Sequence, residues 1–203
     1  SQLFRGALFA AMLAMFAAAP ANAQTSDDPN PGAITLTTGI DFPSVYFFRG
    51  IRQETDPKFT TFAFGDVGIA LSSGDGGLKS SSINFGVWNS LHTGSSGSDS
   101  DKSIHYEEDF YVMLNLGFGG GVTFTPFFTA YTSPNSSFGT VQELAFKVAH
   151  ASKFAPYAVL AFELKGQADG GSEKGTYMEL GVGPSWPLGD GGAPLAAVQF
   201  ADP

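Results

Sequence analysis

From Ile34 to Pro184, apolar and polar residues alternate with a period of two, in runs broken by clusters of Gly, Ser, Asp and Pro. In Val141–Val148 one face carries Val141, Glu143, Ala145 and Lys147, and the other Leu144, Phe146 and Val148. The next run repeats this, with Tyr157, Glu163 and Lys165 against Ala158, Leu160, Phe162 and Leu164. Tyr177, Glu179 and Gly181 oppose Met178, Leu180, Val182 and Pro184, while Thr123, Thr125, Thr129 and Tyr131 oppose Val122, Phe124, Pro126, Phe128 and Ala130. The pattern predicts strands over Ile34–Arg52 (bent at Pro43), Phe59–Leu71, Ser81–Thr93, His105–Phe118, Val122–Tyr131, Val141–Ala151, Ala155–Lys165 and Thr176–Pro184. The fold class is all-β.

Strand length and loop length narrow the architecture. A tilted strand needs roughly 9–11 residues to cross a bilayer, and most of these segments suffice. Long links at Gly94–Ser103, Ser133–Gly139 and Gly166–Gly175 alternate with short ones at Gly119–Gly121 and Ser152–Phe154, whereas Gln53–Lys58 and Ser73–Gly77 are of similar length. An antiparallel up-and-down membrane β-barrel has this layout, with long loops outside and short turns in the periplasm. Tyr46, Tyr106, Tyr131, Tyr157 and Trp186 stand near strand ends, where aromatic girdles are expected. A soluble exported sandwich would alternate as well, its apolar face buried. Ala196–Phe200 reads as the start of a ninth strand, so the eight visible strands are taken as cut short of closure, with 10 or 12 in the full barrel.

The N-terminal segment supplies an address. Arg5, the apolar run Ala7–Ala19, Pro20 and Ala21-Asn22-Ala23 form the n-region, h-region and cleavage site of a signal peptide. The run is shorter than the roughly 20 residues of a spanning helix. Residues 1–23 are therefore a removable export signal, 24–32 a polar linker and 33–203 a barrel of the bacterial outer membrane, with its lipid as partner. The chain has no cysteine, which excludes disulfides and metal thiolates. A formal charge of −9 excludes nucleic acid as partner.

Ser44-Val45-Tyr46-Phe47-Phe48-Arg49-Gly50-Ile51-Arg52-Gln53 resembles the S-x-Y-x-F-R-G-x-S/T-Q opening of the TorF-like family of proteobacterial outer-membrane proteins, described as porins. Arg52 stands where the family has a hydroxyl residue. Looser echoes are Tyr131-Thr132-Ser133-Pro134 and Gly175-Thr176-Tyr177-Met178-Glu179-Leu180. The resemblance implies an outer-membrane barrel with a transport role and no known substrate. With Tyr46 and Phe48 facing lipid, Arg49 would point into the lumen beside inward carboxylates, avoiding the roughly 2–4 kcal/mol cost of a lipid-facing Arg.

Candidate chemistry follows from the inward faces. Arg49, Glu143, Lys147, Glu163, Lys165 and Glu179 are pore-lining candidates, or else a salt-bridge network that fills a narrow lumen. Asn84, Trp88, Ser90 and His92, with Glu107, Asp109, Tyr111 and Asn115, mix aromatic and polar groups; Trp88, His92, Asp109 and Tyr111 are candidates for solute contact. His150-Ala151-Ser152 with Glu163 is similar to the triad of outer-membrane lipid A deacylases, but alternation turns His150 outward and Glu163 inward. The run Gly94–Asp101 lacks the closing Glu and central Gly of a calcium loop, and reads as a solvated, flexible outer loop. No Gly-x-Ser-x-Gly, His-Glu-x-x-His or phosphate-binding loop occurs. The expectation is a porin-like channel for passive passage of small solutes, with a non-conducting anchor or surface-interaction barrel as the alternative. Neither is an enzyme, and neither needs a metal or cofactor.

Overall fold

The computed structural model describes residues 32–171 and 173–184. The predicted signal peptide, nearly all of the predicted linker, Trp186 and the predicted ninth-strand start lie outside the described residues.

The chain forms β1 (Ile34–Asp41), β2 (Phe47–Phe48), β3 (Ile51–Arg52), β4 (Thr60–Ser73), β5 (Leu78–His92), β6 (His105–Phe118), β7 (Val122–Thr132), β8 (Val141–His150), β9 (Pro156–Lys165) and β10 (Thr176–Val182). Eight of them make one antiparallel meander in the order β1-β4-β5-β6-β7-β8-β9-β10, while β2 and β3 pair only with each other. Among the described residues the sheet is open, with β1 and β10 as its edges, and there is no α-helix.

Period-two alternation assigns the faces. Outward stand Val67 and Leu71 of β4, Phe85 of β5, Phe110 and Phe118 of β6, Val148 of β8, Leu160, Phe162 and Leu164 of β9, and Met178, Leu180 and Val182 of β10, all exposed. Phe124, Phe146 and Phe162 continue this face as neighbouring rings on β7, β8 and β9. The inward face carries the buried polar groups Ser90, His92, Glu107, Asp109, Thr129 and Glu143. Pro126 interrupts β7: its ladder with β6 runs Met113↔Phe127 and resumes at Leu116↔Phe124, because proline has no N–H to donate.

The first predicted strand needs correction. β1 ends at Asp41, and the segment from Phe42 to Phe59 turns back along the inward face instead of continuing the sheet. Pro43 removes a ladder donor, and Arg49-Gly50 closes a two-residue hairpin with both φ values positive, 48° and 80°. Glycine takes that conformation freely; Arg49 takes it because its side chain is held elsewhere. Loop alternation thereby becomes regular. Long links 42–59, 93–104, 133–140 and 166–175 lie at one end of the meander, and short ones at 74–77, 119–121 and 151–155 lie at the other.

The folded-in segment reverses other expectations too. Tyr46 and Phe48 do not face outward: they are 4% and 8% exposed, inside a cluster with Trp88, Tyr106, Tyr131 and Val141. Tyr106 and Tyr131 belong to this interior and not to a girdle, and Tyr157 points inward to bond the Glu179 carboxylate. Burying each of these rings contributes roughly 1.5–3 kcal/mol.

Candidate functional site

The loop end of the inward face is built around the hairpin tip. The Arg49 guanidinium donates two parallel bonds to Glu143, at 2.7 and 2.6 Å, and lies over the rings of Phe48 and Tyr177. Tyr131 donates its hydroxyl to the same carboxylate at 3.1 Å. Burial works most strongly against the Arg49 charge, but the bond to Glu143 and the electrostatic pull of Tyr131, Glu143 and Tyr177 together outweigh it and raise the guanidinium above its ordinary value.

The base of the segment is locked by Glu54, which is fully buried. Its carboxylate accepts from the Ser95 hydroxyl at 2.6 Å, the Ser96 hydroxyl at 2.5 Å, the Ser96 amide at 3.0 Å and the Asp56 amide at 3.2 Å. Burial alone would raise its pKa; these donors prevail and bring it down to about 2. His92 extends the lock, with Nδ1 2.6 Å from the Ser96 hydroxyl and Nε2 2.5 Å from that of Ser90. Ser96 spends its proton on an ionised carboxylate, so His92 donates from Nδ1 and accepts from Ser90 at Nε2. The ring also stacks on Tyr106 at 4.3 Å. This Ser-His-Ser-Glu chain has the ingredients of a hydrolytic triad. Ser90 and His92 are both 0% exposed, however, so the chain acts as a tether in this conformation.

A β-bulge completes the site. Ser90 pairs with Glu107 and Leu91 with His105, which leaves Tyr106 as an extra residue. The break in the pleat turns both Tyr106 and Glu107 inward, where they are 6% and 5% exposed. Tyr106 donates to the Gln53 side chain at 3.0 Å. Between Phe48, the β6–β8 wall and the 166–171 loop lies a cavity of about 370 Å³. A second one, of about 200 Å³, lies beside Arg49, Glu143 and Tyr177.

The pore-lining candidates do not form one network. Glu163 faces Glu143 across the β8–β9 ladder but accepts the Ala168 and Gly175 amides, thereby holding the 166–175 loop. Glu179 accepts from the Tyr157 and Tyr177 hydroxyls, and Lys147 lies 5.0 Å from the Tyr157 ring. Lys165 ends β9 in an exposed position. The solute-contact candidates Trp88, His92 and Asp109 do gather at the loop end, and Trp88 packs on Tyr46 and Phe62. Tyr111 sits further along β6, over Gly86, where an added Cβ would lie 2.0 Å from its ring.

Nearer the turns, the inward groups are smaller and half-buried. Asn84 donates to Asp66 at 2.5 Å, Asn115 to Asn84 at 3.0 Å and Thr125 to Asn115 at 3.0 Å, a polar chain across four strands. His150 ends β8 at the turn end, about 23 Å along the strand from the level of Glu143 and Glu163. That separation rules out a His150–Ser152–Glu163 triad. The Gly94–Asp101 run does more than a free outer loop would, because Gly94 and Gly97 are buried and its serines hold Glu54. Sequence reasoning missed Glu54, Tyr46 and Phe48 as interior groups; the Arg49-Gly50 dipeptide between Phe48 and Ile51 was the available hairpin signal. No protein-family model, curated protein or solved structure matches the chain.

Proposed function

We propose that this chain is an outer-membrane, porin-like β-barrel whose loop-side mouth is narrowed by its own segment 42–59. The observation that carries the proposal is the inversion of polarity across the sheet. Large apolar side chains stand exposed on the outward face of β4–β10, while charged and hydroxyl groups are buried on the inward one. Water would favour the reverse. An exposed apolar surface running across successive strands marks contact with lipid or protein, and eight antiparallel strands with loops of alternating length favour lipid. The export signal and the TorF-like motif point the same way.

Passage is a matter of selection and gating, with no bond made or broken. The Asp66–Asn84–Asn115–Thr125 chain offers a wet path near the turns. Arg49, Tyr46 and Phe48 narrow the other end, so solutes pass only when the segment yields. Conductance in planar bilayers tests this: wild type should pass little current, and a variant with residues 44–53 replaced by a short Gly-Ser link should conduct at least tenfold more. Equal, near-zero conductance in both would favour the non-conducting surface-interaction barrel.

A further inference from the structure

We propose that the 370 Å³ cavity at the loop end binds a small organic cation, an amine or quaternary ammonium, between aromatic walls and a buried carboxylate pair. The proposal rests on reading this end as the mouth of a barrel, and it names the kind of solute met there.

Phe48, Tyr106, Tyr131 and Phe138 wall the cavity, with Glu107 and Gln53 among its polar lining. Its volume is that of a small-molecule site. The hydroxyls of Tyr106 and Tyr131 are already spent on Gln53 and Glu143. What the tyrosines offer a guest is therefore mainly ring surface. Aromatic faces attract cations through their quadrupole, and more strongly where water is excluded.

The charge balance of the wall singles out a cation over a sugar. Glu107 is 5% exposed and lines the cavity, and Asp109 stands behind it on the same face of β6, 0% exposed and against the Glu107 carboxyl. The ion pairs among the described residues are Arg49–Glu143 and Lys58–Asp99, so no protein cation meets this pair. Both His92 nitrogens are taken by serines, and Arg49 faces Glu143. Buried carboxylates without a counter-charge are costly. Two neighbouring buried acids share a proton and keep one negative charge between them; a neutral polyol leaves that charge unbalanced, whereas an ammonium group at Glu107 balances it.

Isothermal titration of the refolded full-length protein in a maltoside detergent tests the site, using choline and its uncharged carbon analogue 3,3-dimethyl-1-butanol as probes. Choline should bind at least tenfold tighter than the alcohol. Glu107→Gln should erase that difference, and Phe138→Ala, in the loop, should weaken choline several-fold. Retained heat-modifiable electrophoretic mobility checks that each variant is folded. Equal binding of the two probes, or no binding of choline to folded wild type, overturns the proposal, and the wild-type comparison decides even if Glu107→Gln fails to fold. Absent choline binding alongside the expected bilayer currents removes the cation site alone. Choline binding alongside failed gating removes the transport reading alone.

Discussion

The two ends of the inward face share one alternation and have different interiors. At the loop end, Tyr46, Phe48, Trp88, Tyr106 and Tyr131 pack around buried charges. Toward the turns, Ser82, Asn84, Asn115 and Thr125 are only half-buried. Both stretches point inward for the same reason, the two-residue pleat. What separates them is occupancy, since a returning segment supplies the loop end with a second layer. Alternation thus determines where a side chain points, and a distant piece of chain determines what it meets.

The largest expected break in this contrast is Glu143→Ala. It would strand Arg49, whose side chain is 13% exposed, and free the Tyr131 hydroxyl. Removing one partner of such a pair costs about 3 kcal/mol. Trypsin should then cleave after Arg49, Arg52 or Lys58 roughly a hundredfold faster than in wild type; an unchanged rate would mean that Arg49 does not hold the segment.

Gly94→Ala comes next. Its Cβ would lie 2.3 Å from the Asp56 carbonyl oxygen and 2.8 Å from the Glu54 carboxylate. We expect a loss of about 2 kcal/mol in chemical denaturation, as for other overpacked sites. Gly76→Ala, in a turn with nothing within 4 Å of the added carbon, should change stability by less than about 0.5 kcal/mol. Equal losses at the two glycines would erase the difference between the ends.

Acid gives a smaller and reversible test. The folded pKa of Glu54, about 2, lies below its ordinary value of 4.5. Its contribution is therefore complete above the ordinary value and lost as pH falls through that window toward 2. His92, Asp56 and Tyr106 are the ionisable groups near it. Protection of residues 49–58 from an acid-active protease should decline below pH 4.5, and Glu54→Gln should remove that dependence. A wild type as well protected at low pH would exclude Glu54 as the lock. A small effect is expected from Thr125→Val, which removes one bond of the half-buried chain: about 1 kcal/mol or less, with the trypsin rate unchanged.

The strands from Phe59 onward were legible because each buries or exposes alternate residues over a long stretch, and their limits shift by only a few residues in the structure. Ile34–Arg52 misled because Tyr46, Phe47 and Phe48 favour extended backbone whether they pair in a sheet or pack inside it. The inward acids Glu107 and Asp109 were readable from the pleat. The turning-in of Tyr106 was not, since one bulge residue cancels the count on which such a reading depends. Glu54 had no local signal at all: its partners Ser95 and Ser96 lie some 40 residues along the chain, and only the fold brings them together.

On the proposed reading the apolar face meets lipid while the polar face is enclosed. The cysteine-free chain allows single spin labels along β6 in reconstituted bilayers, with oxygen and a water-soluble nickel chelate as relaxing agents. Labels at Phe110, Val112, Leu114 and Leu116 should respond to oxygen, and those at Tyr111, Met113 and Asn115 should not, giving a period of two. Strong response of the first set to the chelate, with no such period, would contradict the account.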